Sequence, residues 1–259
     1  MIEELFKELS MLEQVDAIAL GGSRAGHHYD EKSDYDVYIY CNHPILETKR
    51  EEILSKYCKV MEIGNHFWEY EDNCVLNNDI DIDIIYRHLD DFINDLSYVV
   101  EKYQPHNGYT TCMWHNLLTC KIIYDKNGHL QAAKERFQVV YPKQLKKNII
   151  ERNMKLLYSA LPAYQTQIQK AVNRKDIISI NHRTAAFFES YFDIIFALNE
   201  KTHPGEKRLI PLSMECDILP QYFKENIEKL YKDLFHNDKE VSQDIENIIK
   251  ELSKVVYGE

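Results

Sequence analysis

A glycine pair, a serine and two aspartates one residue apart are the side chains and turn elements of this chain best suited to chemistry. Gly21-Gly22-Ser23-Arg24 is followed, with ten residues between Ser23 and Asp34, by Asp34-Tyr35-Asp36. The apolar run Val15–Leu20 predicts a short buried strand, and the glycines end it in a turn where backbone can come close to a ligand. Ser23 and the amides after it then open a short helix, whose unpaired N–H groups favour phosphate oxygens. Asp34 and Asp36 stand at the start of a second predicted strand, Tyr35–Cys41, where alternation brings both carboxylates to one face. Two hard oxygen donors suit Mg²⁺, which takes one or two protein carboxylates and completes its octahedron with substrate phosphates and water. Together these residues read as a nucleoside triphosphate site.

A third carboxylate comes from the stretch Asn78 to Arg87, Asn-Asp-Ile-Asp-Ile-Asp-Ile-Ile-Tyr-Arg, which predicts a strand. Asp79, Asp81 and Asp83 share one face and Ile80, Ile82 and Ile84 the other, so the repulsion among three acids calls for a cation or solvent nearby. Alone, an Asp-Ile repeat would be an edge strand with a solvated face. With the turn and the aspartate pair upstream it reads as an active-site strand.

These three parts resemble the motif of the nucleotidyltransferases of the DNA polymerase beta superfamily: Gly-Ser, a spacer, Asp-x-Asp and a third acid on a later strand. Within that superfamily the chain looks most like the small bacterial enzymes that adenylylate antibiotics, such as the kanamycin and lincosamide nucleotidyltransferases. It further resembles an uncharacterised bacterial group with a C-terminal helical domain, through Asp83-Ile84-Ile85-Tyr86-Arg87, Phe196-Ala197-Leu198-Asn199 and Pro204-Gly205-Glu206-Lys207-Arg208. The resemblance implies catalytic and metal-ligating roles for Asp34, Asp36 and Asp83, two Mg²⁺ ions, and ATP as the nucleotide. Asp83 is either a metal ligand or the base that accepts the acceptor's proton, and Asp81 replaces it if the strand register differs. Gly22, Ser23 and Arg24 are the expected nucleotide-binding residues. So are Lys207 and Arg208, since the loop Glu200 to Arg208 is rich in turn formers and can present a basic pair at an exposed edge. His182-Arg183 is a second basic candidate, and His27-His28 reads as a pair of solvated loop residues within reach of a nucleotide.

A chain of 259 residues with 44% hydrophobic and 28% charged residues can bury a sizeable core and divides into two domains. Met1 to Leu12 sets Glu3, Glu4 and Glu8 among Ile2, Leu5, Phe6 and Leu9, the pattern of an amphipathic surface helix and not of a signal sequence. The most apolar stretch, around Phe192 to Leu198, is far too short for a membrane span. A soluble, cytoplasmic enzyme is expected. The six cysteines show no close pair, so reduced and mostly buried thiols are expected. A net charge of −11 argues against a protein that grips nucleic acid, which demands clustered Lys and Arg. It is compatible with a cationic small acceptor.

For organisation, Pro44 to Cys58 predicts a helix with Ile45, Leu46, Ile53 and Leu54 on its apolar side, followed by a short segment Lys59 to Gly64. His66, Phe67, Trp68 and Tyr70 form an aromatic cluster, either a packed sheet edge or the wall of an acceptor pocket. A helix Leu89 to Tyr103, a loop Gln104 to Gly108, a helix Thr110 to Leu118, a strand Lys121–Asp125 and a helix His129–Phe137 complete a mixed α/β first half. From Pro142 onward helical patterns take over, with helices from Pro142, from Asp176 to Asn199, from Pro220 to Phe235 and from Glu240 to Val256.

The fold class expected is therefore α/β (α+β): a mixed-sheet nucleotidyltransferase domain over residues 1–140, then an all-helical substrate-binding bundle over 141–259. The expected reaction moves AMP from ATP onto a hydroxyl of a small molecule, an antibiotic being the favoured class, and releases pyrophosphate. One alternative keeps the chemistry and changes the acceptor to a protein hydroxyl, as in small AMPylating antitoxins; the added helical half speaks against it. Another is a non-catalytic nucleotide-binding regulator, against which the intact acids count, and an RNA-tailing enzyme would need a basic channel. A homodimer formed through the helical half is compatible with the resemblance.

Overall fold

The computed structural model describes residues 1–25 and 33–258. The fold is α+β, and the chain separates into two compact units: residues 1–97 with 116–139, and residues 98–115 with 140–259.

The first unit is built on a six-stranded mixed sheet. Its strands are β1 (Val15–Leu20), β2 (Tyr35–Cys41), β3 (Cys58–Asn65), β4 (Glu71–Leu76), β5 (Asp81–His88) and β6 (Lys121–Asp125), in the spatial order β3-β4-β5-β2-β1-β6. Only β2 and β5 run parallel; the other neighbours are antiparallel. Alternation divides the sheet cleanly. One face carries Ile18, Leu20, Val37, Ile39, Ile82 and Ile84, which form a core with Leu5, Phe6 and Leu9 of helix α1 (Ile2–Ser10) and Ile53 and Leu54 of α3 (Glu47–Leu54). The other face carries Asp36, Glu71, Asp81 and Asp83. Helices α2 (Gly22–Ala25) and α6 (His129–Phe137) also belong to this unit, whereas α4 (Leu89–Val100) and α5 (Cys112–Thr119) each have residues in both units.

Arg50 of α3 is wholly buried, an unusual fate for a long cation, and it is matched by the wholly buried Asp72 of β4 at 2.8 Å. Asp72 also accepts from the Gly64 amide at 2.8 Å and from the Tyr86 hydroxyl at 2.8 Å, while Arg50 donates to the Tyr70 hydroxyl. Burial raises the Asp72 carboxyl above the usual aspartate range, with the Gly64 bond and Arg50 opposing. This network pins α3 to the apolar face of the sheet.

Several predicted elements differ. The helix expected from Pro44 begins at Glu47 and stops at Leu54, which leaves Leu46 at its N-cap 75% exposed. Cys58 to Gly64 belongs to a full strand, β3, in which Lys59, Val60 and Glu62 are exposed and a register shift breaks the alternation, so no apolar run or clear period marked it. Asp79 is not on the acidic strand; it sits in the β4–β5 turn with φ 67° and pairs with Lys59, as turn formers Asn77 and Asn78 precede it. β5 itself is an inner strand, not an edge. The aromatic cluster is split. Tyr70 stacks on His66 and receives Arg50, whereas Phe67 and Trp68 are 85% and 87% exposed.

The second unit contains α7 (Lys143–Met154) with a π-helical turn Lys155–Ser159, then α8 (Tyr164–Asn173), α9 (Ile177–Leu198), α10 (Leu209–Ser213), α11 (Phe223–His236) and α12 (Val241–Tyr257). α9 is its axis: from Phe187 to Leu198 nearly every residue is buried, and its N-cap Asp176 accepts from the Ser179 amide at 3.0 Å. α8 was not expected, because its polar sequence Tyr-Gln-Thr-Gln-Ile-Gln-Lys carries few apolar residues. Segment 98–115 joins this unit through buried Asp193, whose carboxylate accepts from the Thr110 amide at 3.0 Å, the Thr110 hydroxyl at 2.6 Å and Asn153 Nδ2 at 3.0 Å. Thr111 Oγ1 accepts from the His203 amide at 2.8 Å, and Thr202 pairs with His115 Nδ1 at 2.8 Å. None of the six cysteines forms a disulfide; five are buried and Cys112 is half-buried. No described helix is long and apolar enough to cross a membrane.

Candidate nucleotide site

β1 ends where Gly21 begins, and the Gly21 amide makes a last ladder bond to the Asp36 carbonyl at 2.8 Å. Gly22 then takes φ 55°, and a Cβ built on it would lie 1.8 Å from Asp36 Oδ2. Only glycine lets the backbone turn left-handed and rest against that carboxylate. The helix that follows, α2, is four residues long. Its Ser23 hydroxyl is buried and makes no hydrogen bond among the described residues. A buried orphan hydroxyl is costly unless a ligand completes it.

Arg24 stays close to the backbone that leads into β2. Its Nε donates to the carbonyls of Ser33 at 2.7 Å and Asp34 at 3.1 Å, and the guanidinium lies 3.8 Å above the Tyr35 ring. Arg24 thus ties the glycine turn to the segment that carries Asp34. His27 and His28 lie outside the described residues.

The register sets Asp83 of β5 directly opposite Asp36 of β2. On neighbouring parallel strands about 4.8 Å apart, both side chains rise from the same face. Asp81, the first residue of β5, is exposed and pairs on its other side with Val75. Asp34 is exposed just before β2, and Asp36 and Asp83 are half-buried. Among the described residues, no group of three His, Cys, Asp or Glu side chains stands close enough to hold a metal ion. Asp34, Asp36 and Asp83 are therefore not gathered into one three-carboxylate group among the described residues.

The same sheet face continues onto β4. Asn73, opposite Asp83, donates through Nδ2 to Asp83 Oδ1 at 2.8 Å. Glu71, also on this face, is buried, which pushes its carboxyl above the ordinary glutamate range; the bond from Asn73 opposes the shift and the charge of Asp83 adds to it. Farther along, Arg87 is held by Glu69 at 2.7 and 2.9 Å and lies 4.4 Å over the Tyr38 ring. Asn73 and Glu71 escaped the sequence reading because no local pattern marks a lone Asn or Glu facing a carboxylate across strands. Lys207 and Arg208, the predicted phosphate contacts, belong to the second unit, where both are exposed and Arg208, with φ 56°, caps α10. The loop that carries them is otherwise anchored inward, since His203 is wholly buried between Tyr109 and Phe196.

Comparison with known proteins finds a domain of unknown function, DUF4037, over residues 109–209, less than half of the chain. No curated protein matches. Among solved structures, the chain is similar to a nucleotidyltransferase-like protein from Exiguobacterium sibiricum 255-15, with a TM-score of 0.45 and 11% identity, covering 100% of this chain and 75% of that one. It is also similar to an aminoglycoside 6-adenyltransferase from Bacillus subtilis, with a TM-score of 0.32 and 9% identity, covering 99% and 90%. Identities this low leave the chemistry to be read from the chain's own residues.

Proposed function

We propose that the chain is a nucleotidyltransferase that moves AMP from ATP onto a hydroxyl of a small molecule, with an antibiotic as the acceptor class, and releases pyrophosphate. The observation that carries this reading is the pairing of Asp36 with Asp83 across parallel strands, with the Gly22 backbone lying against the Asp36 carboxylate. Two carboxylates on one face beside a glycine turn fit Mg²⁺, which asks for few protein ligands and takes the rest from phosphates and water. Bound there, the ion would neutralise charge on the phosphates and on the departing pyrophosphate.

The chain's own residues supply the remainder. The turn offers the backbone amides of Gly22 and Ser23 and an uncommitted Ser23 hydroxyl to phosphate oxygens, the Gly21 amide being held by the Asp36 carbonyl. In this reading Asp83 either joins Asp36 in holding the ion or accepts the proton of the acceptor hydroxyl as that oxygen attacks the α-phosphorus and the bond to the β-phosphate oxygen breaks. Arg24 keeps the backbone of Asp34 in register with the turn.

The test is pyrophosphate release from each nucleoside triphosphate with Mg²⁺, across aminoglycosides, lincosamides and purified proteins, with Asp36→Asn as control. Release that needs one small acceptor and falls at least about 100-fold in the variant supports the reading, as loss of a charge-stabilising group does. Release only with a protein acceptor would replace the small molecule by a protein hydroxyl. Nucleotide-dependent behaviour that survives Asp36→Asn without Mg²⁺ would point to binding without chemistry.

A further inference from the structure

A chain of three hydrogen bonds runs across the outer strands to Asp83. The Phe67 amide donates to Asn65 Oδ1 at 2.9 Å, Asn65 Nδ2 donates to Asn73 Oδ1 at 2.8 Å, and Asn73 Nδ2 donates to Asp83 Oδ1 at 2.8 Å. The direction of this relay is forced at both ends. A backbone amide only donates, and an ionised carboxylate only accepts, so each side-chain amide has one orientation that satisfies both neighbours. Neither Asn can flip without setting oxygen against oxygen.

Asp83 needs such a support. It stands opposite Asp36, and two carboxylates facing each other repel. Without a donor on its far side, the Asp83 side chain would swing from its neighbour towards water. The Asn73 amide occupies Oδ1 and leaves Oδ2 for a cation or a proton. Asn65 and Asn73 are half-buried and lie on the edge strand β3 and its neighbour β4, so the β3–β4 hairpin holds their amides.

We propose that Asn73 and Asn65 form a positioning relay that fixes the orientation of the Asp83 carboxylate for catalysis and cation binding. This rests on the nucleotidyltransferase reading above. Neither residue touches the reacting atoms; both act through Asp83.

The experiment uses the full chain and two readouts. One is the affinity of Mn²⁺ in the presence of a non-hydrolysable ATP analogue, followed by electron paramagnetic resonance. The other is the kinetics of pyrophosphate release. Asn73→Ala is expected to weaken Mn²⁺ binding and lower kcat by about 10- to 100-fold each, with little change in nucleotide KM, as outer-shell partners of metal ligands do. Asn65→Asp is the sharper variant, because it is nearly isosteric and never touches Asp83. A carboxylate at that position accepts only and sets oxygen against Asn73 Oδ1, which drives the Asn73 amide out of its place between Asp83 and Glu71. Its expected loss matches or exceeds that of Asn65→Ala, whereas a merely structural role predicts the opposite order. Circular dichroism melts compare the folding of each variant with that of the unaltered chain. Mn²⁺ affinity and kcat that stay unchanged in both Asn73→Ala and Asn65→Asp overturn the relay and leave the enzyme reading standing. If the unaltered chain binds no Mn²⁺ that Asp36→Asn abolishes, the enzyme reading falls and the relay with it.

Discussion

Gly22 carries the most exacting constraint at the scale of single residues. Its φ of 55° costs an L-residue about 1–2 kcal/mol, and a Cβ at 1.8 Å from Asp36 Oδ2 must displace either the turn or the carboxylate. Either movement shifts the turn proposed to hold phosphate relative to the acid by about an ångström, which is worth about 100-fold in rate for a positioned reaction. Gly22→Ala is therefore expected to lower pyrophosphate release about 100-fold while the melting temperature of the chain drops by only a few degrees. Full activity in the variant would show that the turn does not lie at the reacting centre. Gly21 is less constrained, since what its Cβ would meet is the movable ring of Tyr38. The glycine turn before Ser23 and the strand positions of Asp36 and Asp83 were legible from type and spacing because glycine turns and strand alternation are local rules. Asn73 and Asn65 were not, because their meaning depends on which strand lies beside β5.

Between elements, the buried clasp that holds segment 98–115 to α9 gives the second unit a pH dependence of opposing signs. Burial raises the Asp193 carboxyl to about 7 despite its three donors, so the fold favours its protonated form. That contribution is complete below the unfolded value near 3.8 and is lost as pH rises through 7. His203 is the reverse: burial, aided by the charge of His115, lowers it to about 3, so its contribution is complete above 6.5 and is lost as pH falls towards 3. From about pH 4 to 6.5 the two oppose each other, each on the order of a few kcal/mol. Urea unfolding across this range is expected to show Asp193→Asn losing stability on acidification more steeply than the unaltered chain, and His203→Gln less steeply. Identical slopes in all three proteins would remove the clasp from the account. None of this was visible in the sequence, since Thr110 lies 83 residues and Asn153 40 residues from Asp193. The buried pair Arg50 and Asp72 was hidden for the same reason, 22 residues apart on a helix and a strand. β1, β2, β6 and α6 were readable to the residue because turn signals bound a clear period, while β3 and α8, half-exposed and polar, offered no such pattern.

For the molecule as a whole, the net charge of −11 bears on which acceptor the proposed transfer would take. A negative protein repels a nucleoside triphosphate at long range, so the local machinery must overcome that repulsion through backbone amides and a bound cation. A polycationic acceptor is instead drawn in. Salt screens both effects, with a Debye length of about 10 Å at 0.1 M. The two substrates should therefore respond to ionic strength in opposite directions. If the acceptor is an aminoglycoside, its KM is expected to rise up to about tenfold between low and moderate salt, while the nucleotide KM stays level or falls. With a weakly charged acceptor such as a lincosamide, its KM stays nearly constant over the same range and only the nucleotide responds. Initial rates measured with each substrate varied at fixed Mg²⁺ and increasing KCl separate the cases. An acceptor KM that falls with salt would mean that the acceptor is anionic, which neither antibiotic class satisfies, and would overturn the choice of a cationic small molecule while leaving the Asp36 and Asp83 chemistry intact.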